Sequence, residues 1–207
     1  MSDIYVLDYG AGNIRSIQNM IRRNGAECRV ATSPEDIERA AKLILPGVGA
    51  FHSGMALLTA SGMRESLEDA VLSRGVPALG ICLGAQLMTK RSDEGDVAGL
   101  GWIDAETVAF DRTRLKERDR VPHMGWAETV FCEGKRMSAG METGQRFYFV
   151  HSYHFRLGQD EDALCRSFHG YPFVSGFEAR NIVGLQFHPE KSHSFGKAVF
   201  TNFIEGF

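Results

Sequence analysis

The stretch ALGICLGAQLMTK, residues 78–90, decides how this chain is read. Ala78 to Ile81 is a short apolar run of the kind that forms a buried strand, and residues 85–90 look helical. Between them lies Gly80-Ile81-Cys82-Leu83-Gly84, a GxCxG turn. A strand that turns at once into a helix needs a sharp corner. Glycines on both sides remove the Cβ atoms that would clash there. The corner side chain is then thrust out above the sheet, where the following helix N-terminus offers backbone N–H groups and stabilises a thiolate. A cysteine packed between two glycines gives the same string, so the motif alone leaves both readings open.

Upstream, strands and helices alternate. Ile4 to Leu7 reads as a buried parallel strand closed by Asp8-Tyr9-Gly10, and Ile14 to Arg23 as a helix stopped at Asn24-Gly25. Cys28 to Ala31 and Lys42 to Leu45 are further strands. Pro34 marks a helix start, and Met63 to Ser73 a helix whose Met63, Leu67, Ala70 and Val71 form a core-facing stripe. Such alternation predicts an α/β fold, a flavodoxin-like, mostly parallel sheet with helices on both faces. Its functional loops follow the strands. The second half is richer in strands: Trp102–Phe110, Trp126–Phe131, Phe147–Val150, Ala163–Phe168, Pro172–Phe177 and Ile182–Phe187. An amphipathic helix over Ser194–Ile204 closes a chain expected to be one domain, residues 1–207.

Composition excludes several classes. The net charge of -3 disfavours general nucleic-acid binding. No apolar run has the length of a membrane span, and the N-terminus reads as a strand rather than a signal peptide. The four cysteines, Cys28, Cys82, Cys132 and Cys165, show no CxxC spacing, which suits a reduced, cytoplasmic setting with all but Cys82 acting as buried small hydrophobes. Gly10-Ala11-Gly12 lacks the third glycine of a dinucleotide fingerprint. His151 and His154 are expected on opposite faces of a strand with no third ligand, so no metal and no cofactor is expected. Asp111 to Arg120 (DRTRLKERDR) reads as a solvated loop or as a partner-facing one.

The chemistry of a corner cysteine needs a base. Val183-Gly184-Leu185-Gln186-Phe187 leads into His188-Pro189-Glu190. In an extended segment, residues two apart share a side, so His188 and Glu190 can face one site. A histidine takes the thiol proton and returns it to a leaving amine, and a carboxylate fixes its tautomer. Pro46-Gly47-Val48-Gly49 supplies the third requirement, N–H donors for a developing oxyanion. Gly49 and Leu83 are the expected donors.

GICLGAQ, LPGVGAF and LQFHPEKS together resemble the class I, triad-type glutamine amidotransferases. DYGAGNIRSI at the start, VPHMGW at 121–126, YFVHSY at 148–153 and FHPEKS at 187–192 are similar to one branch of them, the glutaminase subunits of imidazole glycerol phosphate synthase. The resemblance runs from Asp8 to the C-terminus. It implies Cys82 as nucleophile, His188 as base and Glu190 as its orienter. It further implies that Gln86 holds the polar groups on the substrate's α-carbon, that Glu94 meets its ammonium, and that Ser152 and Tyr153 contact it through their backbone. Ala11, Gly12, Asn13, Trp126, Tyr148 and Lys191 would face a partner. The sequence departs from the pattern at Ala127, where asparagine is expected, and at Ala85, where methionine is common.

The implied reaction is hydrolysis of glutamine to glutamate and ammonia through a cysteinyl thioester. The ammonia would pass to a separate cyclase subunit, a (β/α)8 barrel, for histidine synthesis. Three alternatives stay open on sequence. They are a paralogous glutaminase feeding surface-sugar synthesis, a stand-alone γ-glutamyl cysteine hydrolase, and a non-catalytic subunit that keeps the fold for assembly.

Overall fold

A computed structural model describes residues 3–207 of the chain. The first strands are β1 (Ile4–Leu7), β2 (Cys28–Ala31), β3 (Lys42–Leu45) and β4 (Ala78–Ile81). Then come β5 (Arg91–Ser92), β6 (Val97–Ala98), β7 (Ala105–Ala109), β8 (His123–Phe131), β9 (Arg146–His151) and β10 (Tyr153–Leu157). The last are β11 (Ala163–His169), β12 (Tyr171–Ala179) and β13 (Ile182–Leu185). The α-helices are α1 (Ile14–Arg23), α2 (Pro34–Glu38), α3 (Phe51–Ala60), α4 (Arg64–Glu68), α5 (Leu83–Leu87) and α6 (His193–Gly206).

Five strands run parallel in the order β2-β1-β3-β4-β13. This is the flavodoxin order, with the fifth place taken by a strand from the far end of the chain. Every residue of β1, β3, β4 and β13 is buried, as expected of strands covered on both faces. Side-chain parity sorts them into two cores. Tyr5, Leu7, Leu43 and Leu45 join α2, α3, α4 and α5 on one face. Ile4, Val6 and Ile44 join Ile17 and Ile21 of α1 and Val199, Phe200 and Phe203 of α6 on the other. Beyond β13 the sheet continues antiparallel through β12, β10 and β7, while β11, β8 and β9 branch from β12.

One polar group sits inside the parallel half. Lys42 is buried, and its Nζ donates to the carbonyls of Phe203 at 3.2 Å and Phe207 at 2.6 Å. The ammonium thereby satisfies carbonyls at the end of α6 that have no intrahelical partner. Lys42 lies at the sheet end opposite the loops that follow β3, β4 and β13.

Several elements differ from expectation, among them the strands β5, β6 and β10, which were not anticipated. α3 was not anticipated, because Phe51-His52-Ser53-Gly54 is poor in helix formers. Its start is secured from a distance, by Glu94 Oε2 accepting the Phe51 N–H at 2.7 Å. The helix expected over 63–73 divides into α4 and a π-helical turn at Asp69–Ser73. Its stripe of Met63, Leu67, Ala70 and Val71 is nonetheless fully buried.

Candidate active site

Cys82 stands where β4 becomes α5, with φ 54° and ψ −113°. A β-carbon-bearing residue rarely takes that conformation, and it persists only where its surroundings fix it. Those surroundings are glycines. A Cβ on Gly80 would lie 2.6 Å from Ala85 Cα, and one on Gly84 would run into the Leu45 carbonyl. One on Gly47 would lie 2.6 Å from the Gly84 nitrogen. The GxCxG corner and the Pro46–Gly49 turn therefore interlock backbone to backbone, and no larger residue fits at any of the three positions. The Cys82 N–H donates to the Leu185 carbonyl at 2.7 Å, which ties the corner to β13.

The thiol does not stand free above the sheet as the motif suggested. Cys82 is 7% exposed and lines a cavity of about 270 Å³. α5 has only five residues, so it contributes through free first-turn N–H groups more than through a macrodipole. The other cysteines are all free, yet only Cys165 is buried, whereas Cys28 and Cys132 are half-buried.

His188 is almost wholly buried and reaches the same cavity. The His188 N–H donates to the Tyr148 carbonyl at 2.9 Å, which fixes the backbone. Its Nδ1 lies 2.8 Å from Glu190 Oε1, and its Nε2 has no hydrogen-bond partner in the protein. The His188–Glu190 pairing was expected from extended alternation. It arises instead from a 3-10 turn over Pro189–Lys191, which folds Glu190 back under the ring. Burial alone pushes the His188 pKa down. The neighbouring Cys82 sulfur and the Glu190 carboxylate outweigh it, and the value rises from 6.5 to about 9. The site thus favours an imidazolium beside the sulfur.

The residues expected as oxyanion donors and substrate contacts converge on this cavity. Gly49 and Leu83 line it beside Cys82, and Gln86, Glu94, Ser152 and Tyr153 complete its wall. Gly49 takes φ +105° with open space around it. Trp126, Tyr148 and Lys191 gather on one outer face. Trp126 pairs with Tyr148 across β8 and β9, and Lys191 Nζ lies 5.7 Å above the Tyr148 ring. Asn13 is exposed, and its Oδ1 accepts the Ser16 N–H at 3.3 Å in the first turn of α1. Ala11 is 8% exposed, so its side chain offers little surface for the partner contact expected of it.

Three functional neighbours escaped the sequence reading. Gln186 is fully buried with its Nε2 3.7 Å from Cys82 Sγ. The signal was its polarity within an apolar run and its even spacing from His188. The Tyr9 hydroxyl donates to the Pro46 carbonyl at 2.6 Å, clamping the start of the glycine turn. His151 lines the cavity, and its Nδ1 lies 2.6 Å from the Tyr153 carbonyl. That contact makes Nδ1 the donor and leaves Nε2 to accept from His123 Nδ1 at 3.0 Å. His151 and His154 were expected on opposite faces, yet both rings pack on Phe110, with centroids at 5.3 and 4.9 Å. The bend at Ser152 breaks the strand and resets the alternation. Burial holds His151 and His154 below the usual histidine range. Among the described residues no cluster of histidine, cysteine or carboxylate side chains is placed to hold a metal ion.

Known proteins resemble this chain along nearly its whole length. The family described as glutamine amidotransferase class-I matches residues 5–206. The chain is 45% identical over 202 residues to imidazole glycerol phosphate synthase subunit HisH 2 of Pseudomonas aeruginosa, covering 98% of each. It is 42% identical over 202 residues to the HisH subunit of Bdellovibrio bacteriovorus, covering 98% of this chain and 99% of that one. Among solved structures, a glutamine amidotransferase superposes with TM-score 0.75 at 20% identity, covering 98% of this chain and 97% of the other. PurLQS from Thermotoga maritima superposes with TM-score 0.73 at 18% identity, covering 99% and 98%. These two likenesses speak to the fold.

Proposed function

This chain belongs to the class-I glutamine amidotransferases, and from that premise we propose that it is the glutaminase subunit of an imidazole glycerol phosphate synthase. The whole chain would act as one glutaminase domain. Its relatives carry that subunit name at 42–45% identity along nearly their full length. The observation that carries the reading is the 2.8 Å His188–Glu190 pair opening onto the same cavity as Cys82.

In the proposed reaction the Cys82 thiolate attacks the side-chain amide carbon of glutamine. A C–S bond forms, and the carbonyl oxygen becomes an oxyanion that the N–H groups of Gly49 and Leu83 can meet. His188 gives its proton to the amide nitrogen, the C–N bond breaks, and ammonia leaves a γ-glutamyl thioester. Water, deprotonated by His188, then attacks the thioester and expels the thiolate, yielding glutamate. Glu190 holds the ring so that Nε2 faces the reaction throughout. Gln86, Glu94 and the backbone of Ser152 and Tyr153 would hold the amino-acid end of the substrate. The ammonia would pass to a separate (β/α)8 cyclase subunit that makes imidazole glycerol phosphate and AICAR, in the cytoplasm. Trp126, Tyr148 and Lys191 present a surface for that subunit. Among the described residues no helix is long and apolar enough to cross a membrane.

The test is glutamate release by the chain copurified with a cyclase-like subunit. Cys82→Ala should abolish release while the variant keeps its melting temperature and its partner. Wild-type turnover in that variant would remove Cys82 from the mechanism. Full activity on γ-glutamyl peptides without any partner would make the chain a stand-alone hydrolase. Ammonia transfer only to a sugar-modifying synthase would place it in the paralogous pathway.

A further inference from the structure

The run that leads to His188 holds one polar side chain, Gln186, between Leu185 and Phe187. Gln186 is fully buried, and a buried amide without partners is costly, so its partners show what it is for. Its Nε2 approaches Cys82 Sγ at 3.7 Å, and its Oε1 accepts from Gln86 Nε2 at 3.0 Å. Its backbone N–H donates to the Ser175 carbonyl at 2.9 Å, which pins the residue to β12. Two amides thus form a chain whose one end is the sulfur and whose other end is the wall of the substrate cavity.

The direction of this chain follows from the sulfur. A thiolate accepts hydrogen bonds and donates none. The Gln186 amino group must then face Sγ, which turns its carbonyl oxygen the other way. Only a donor can meet that oxygen, so the Gln86 amino group faces Gln186. That turns the Gln86 carbonyl oxygen, a pure acceptor, toward the cavity that Gln86 lines. Reversing either amide would set amino against amino or carbonyl against carbonyl inside a buried pair.

Resting on the glutaminase reading above, we propose that Gln186 is a second partner of the Cys82 thiolate and the positioning residue for Gln86. Its amide N–H supports the thiolate. Through Gln86 it presents an acceptor to the N–H groups of an amino-acid substrate. The support acts twice, because the thiolate is the attacking group in acylation and the leaving group in deacylation. In the thioester the sulfur is a poor acceptor, so the Gln186 bond favours expelling the thiolate when water attacks.

The experiment is alkylation of Cys82 by iodoacetamide against pH on the full chain, followed by mass spectrometry of the Cys82 peptide. Gln186→Leu and Gln186→Glu are compared with wild type. A hydrogen bond to a charged group is worth about tenfold or more in this equilibrium, so Gln186→Leu should raise the pH midpoint and lower the rate at neutral pH by about tenfold. Gln186→Glu places a carboxylate against the sulfur and should raise the midpoint further. In the complex with partner, Gln186→Leu should also raise KM for glutamine, because Gln86 is free to turn. An unchanged midpoint in either variant overturns the proposal, and so does a lowered melting temperature with an unmoved midpoint. Should Gln186→Leu fail to fold, Gln186→Met, which is neutral, close in size and without the N–H, decides in its place. If wild type with partner releases no glutamate, the functional reading fails. If wild type is active and the midpoints agree, only the role of Gln186 fails.

Discussion

The two ring nitrogens of His188 are committed to different work. Nδ1 is held by Glu190 Oε1 at 2.8 Å, and Nε2 is left without a partner on the Cys82 side. The raised pKa of about 9 has a linked effect on folding. Protonation favours the folded state, so this contribution is fully present below about pH 6.5 and is lost as pH rises through about 9. Glu190→Gln leaves a hydrogen-bonding side chain but removes the charge that favours the imidazolium. His188→Ala removes the group that moves the proton. In single-turnover acylation with the partner bound, Glu190→Gln should therefore lose less rate than His188→Ala. Equal or reversed losses would take His188 out of its role. At this scale the sequence was informative where chemistry forces a residue type. The cysteine between glycines and the histidine beside a glutamate were legible for that reason. Gln186 was not, because its two partners, Cys82 and Gln86, lie about a hundred residues away and no local pattern names them.

Among the elements, the turn after β3 shows how a short segment divides its labour. A turn with two glycines has several backbone states open to it in principle. The structure separates the two glycines: Gly47 is locked against Gly84, while Gly49 has open space. Room for a change of backbone state therefore lies at Gly49, on the same cavity as Cys82. The locked end is held by Tyr9, whose hydroxyl donates to Pro46, and by Gly12, whose Cα approaches the Pro46 ring too closely for any side chain. Burial, and then the charge of Cys82, push the Tyr9 phenol well above its usual range, so it stays a donor. Tyr9→Phe strips the Pro46 carbonyl of its partner, a cost of about 1–3 kcal/mol to stability. It should also lower kcat in the complex about tenfold with little change in KM, because the donor strand loses its anchor. Reduced melting temperature with unchanged kcat would make the clamp purely structural. Elements with strong local pattern, such as β1, β3 and β4, could be read directly. α3 and β10 could not: α3 draws its cap from Glu94, and β10 is set off from β9 only by the bend at Ser152.

At the scale of the whole molecule, the site is assembled by adjacency of β3, β4 and β13, and the last of these comes from the far end of the chain. Alternation of elements predicted the parallel sheet, yet no local feature says that β13 docks beside β4. The Leu185 carbonyl receiving the Cys82 N–H is what makes that docking productive. The assembled site has open space at Gly49, beside the Val48–Gly49 peptide, and an outer face carrying Trp126, Tyr148 and Lys191. These are physically linked. Lys191 ends the turn that carries His188 and Glu190, and α1, which follows the Ala11–Asn13 loop, packs on that same turn. A subunit bound across this face would favour whichever backbone state it binds more tightly, in proportion to its differential affinity. If that state aims the Gly49 N–H at the oxyanion, binding supplies a donor that the free chain does not hold in place, and one such donor is worth about 10²–10³ in rate. The expected outcome is slow glutaminase turnover for the chain alone, and a rise of about that size when a partner loaded with its own substrate is bound. Turnover is measured for the chain alone, with partner, and with loaded partner. Three rates within a few-fold of one another would show that the Val48–Gly49 peptide is already set, and that the open space around Gly49 serves only to relieve crowding at the elbow.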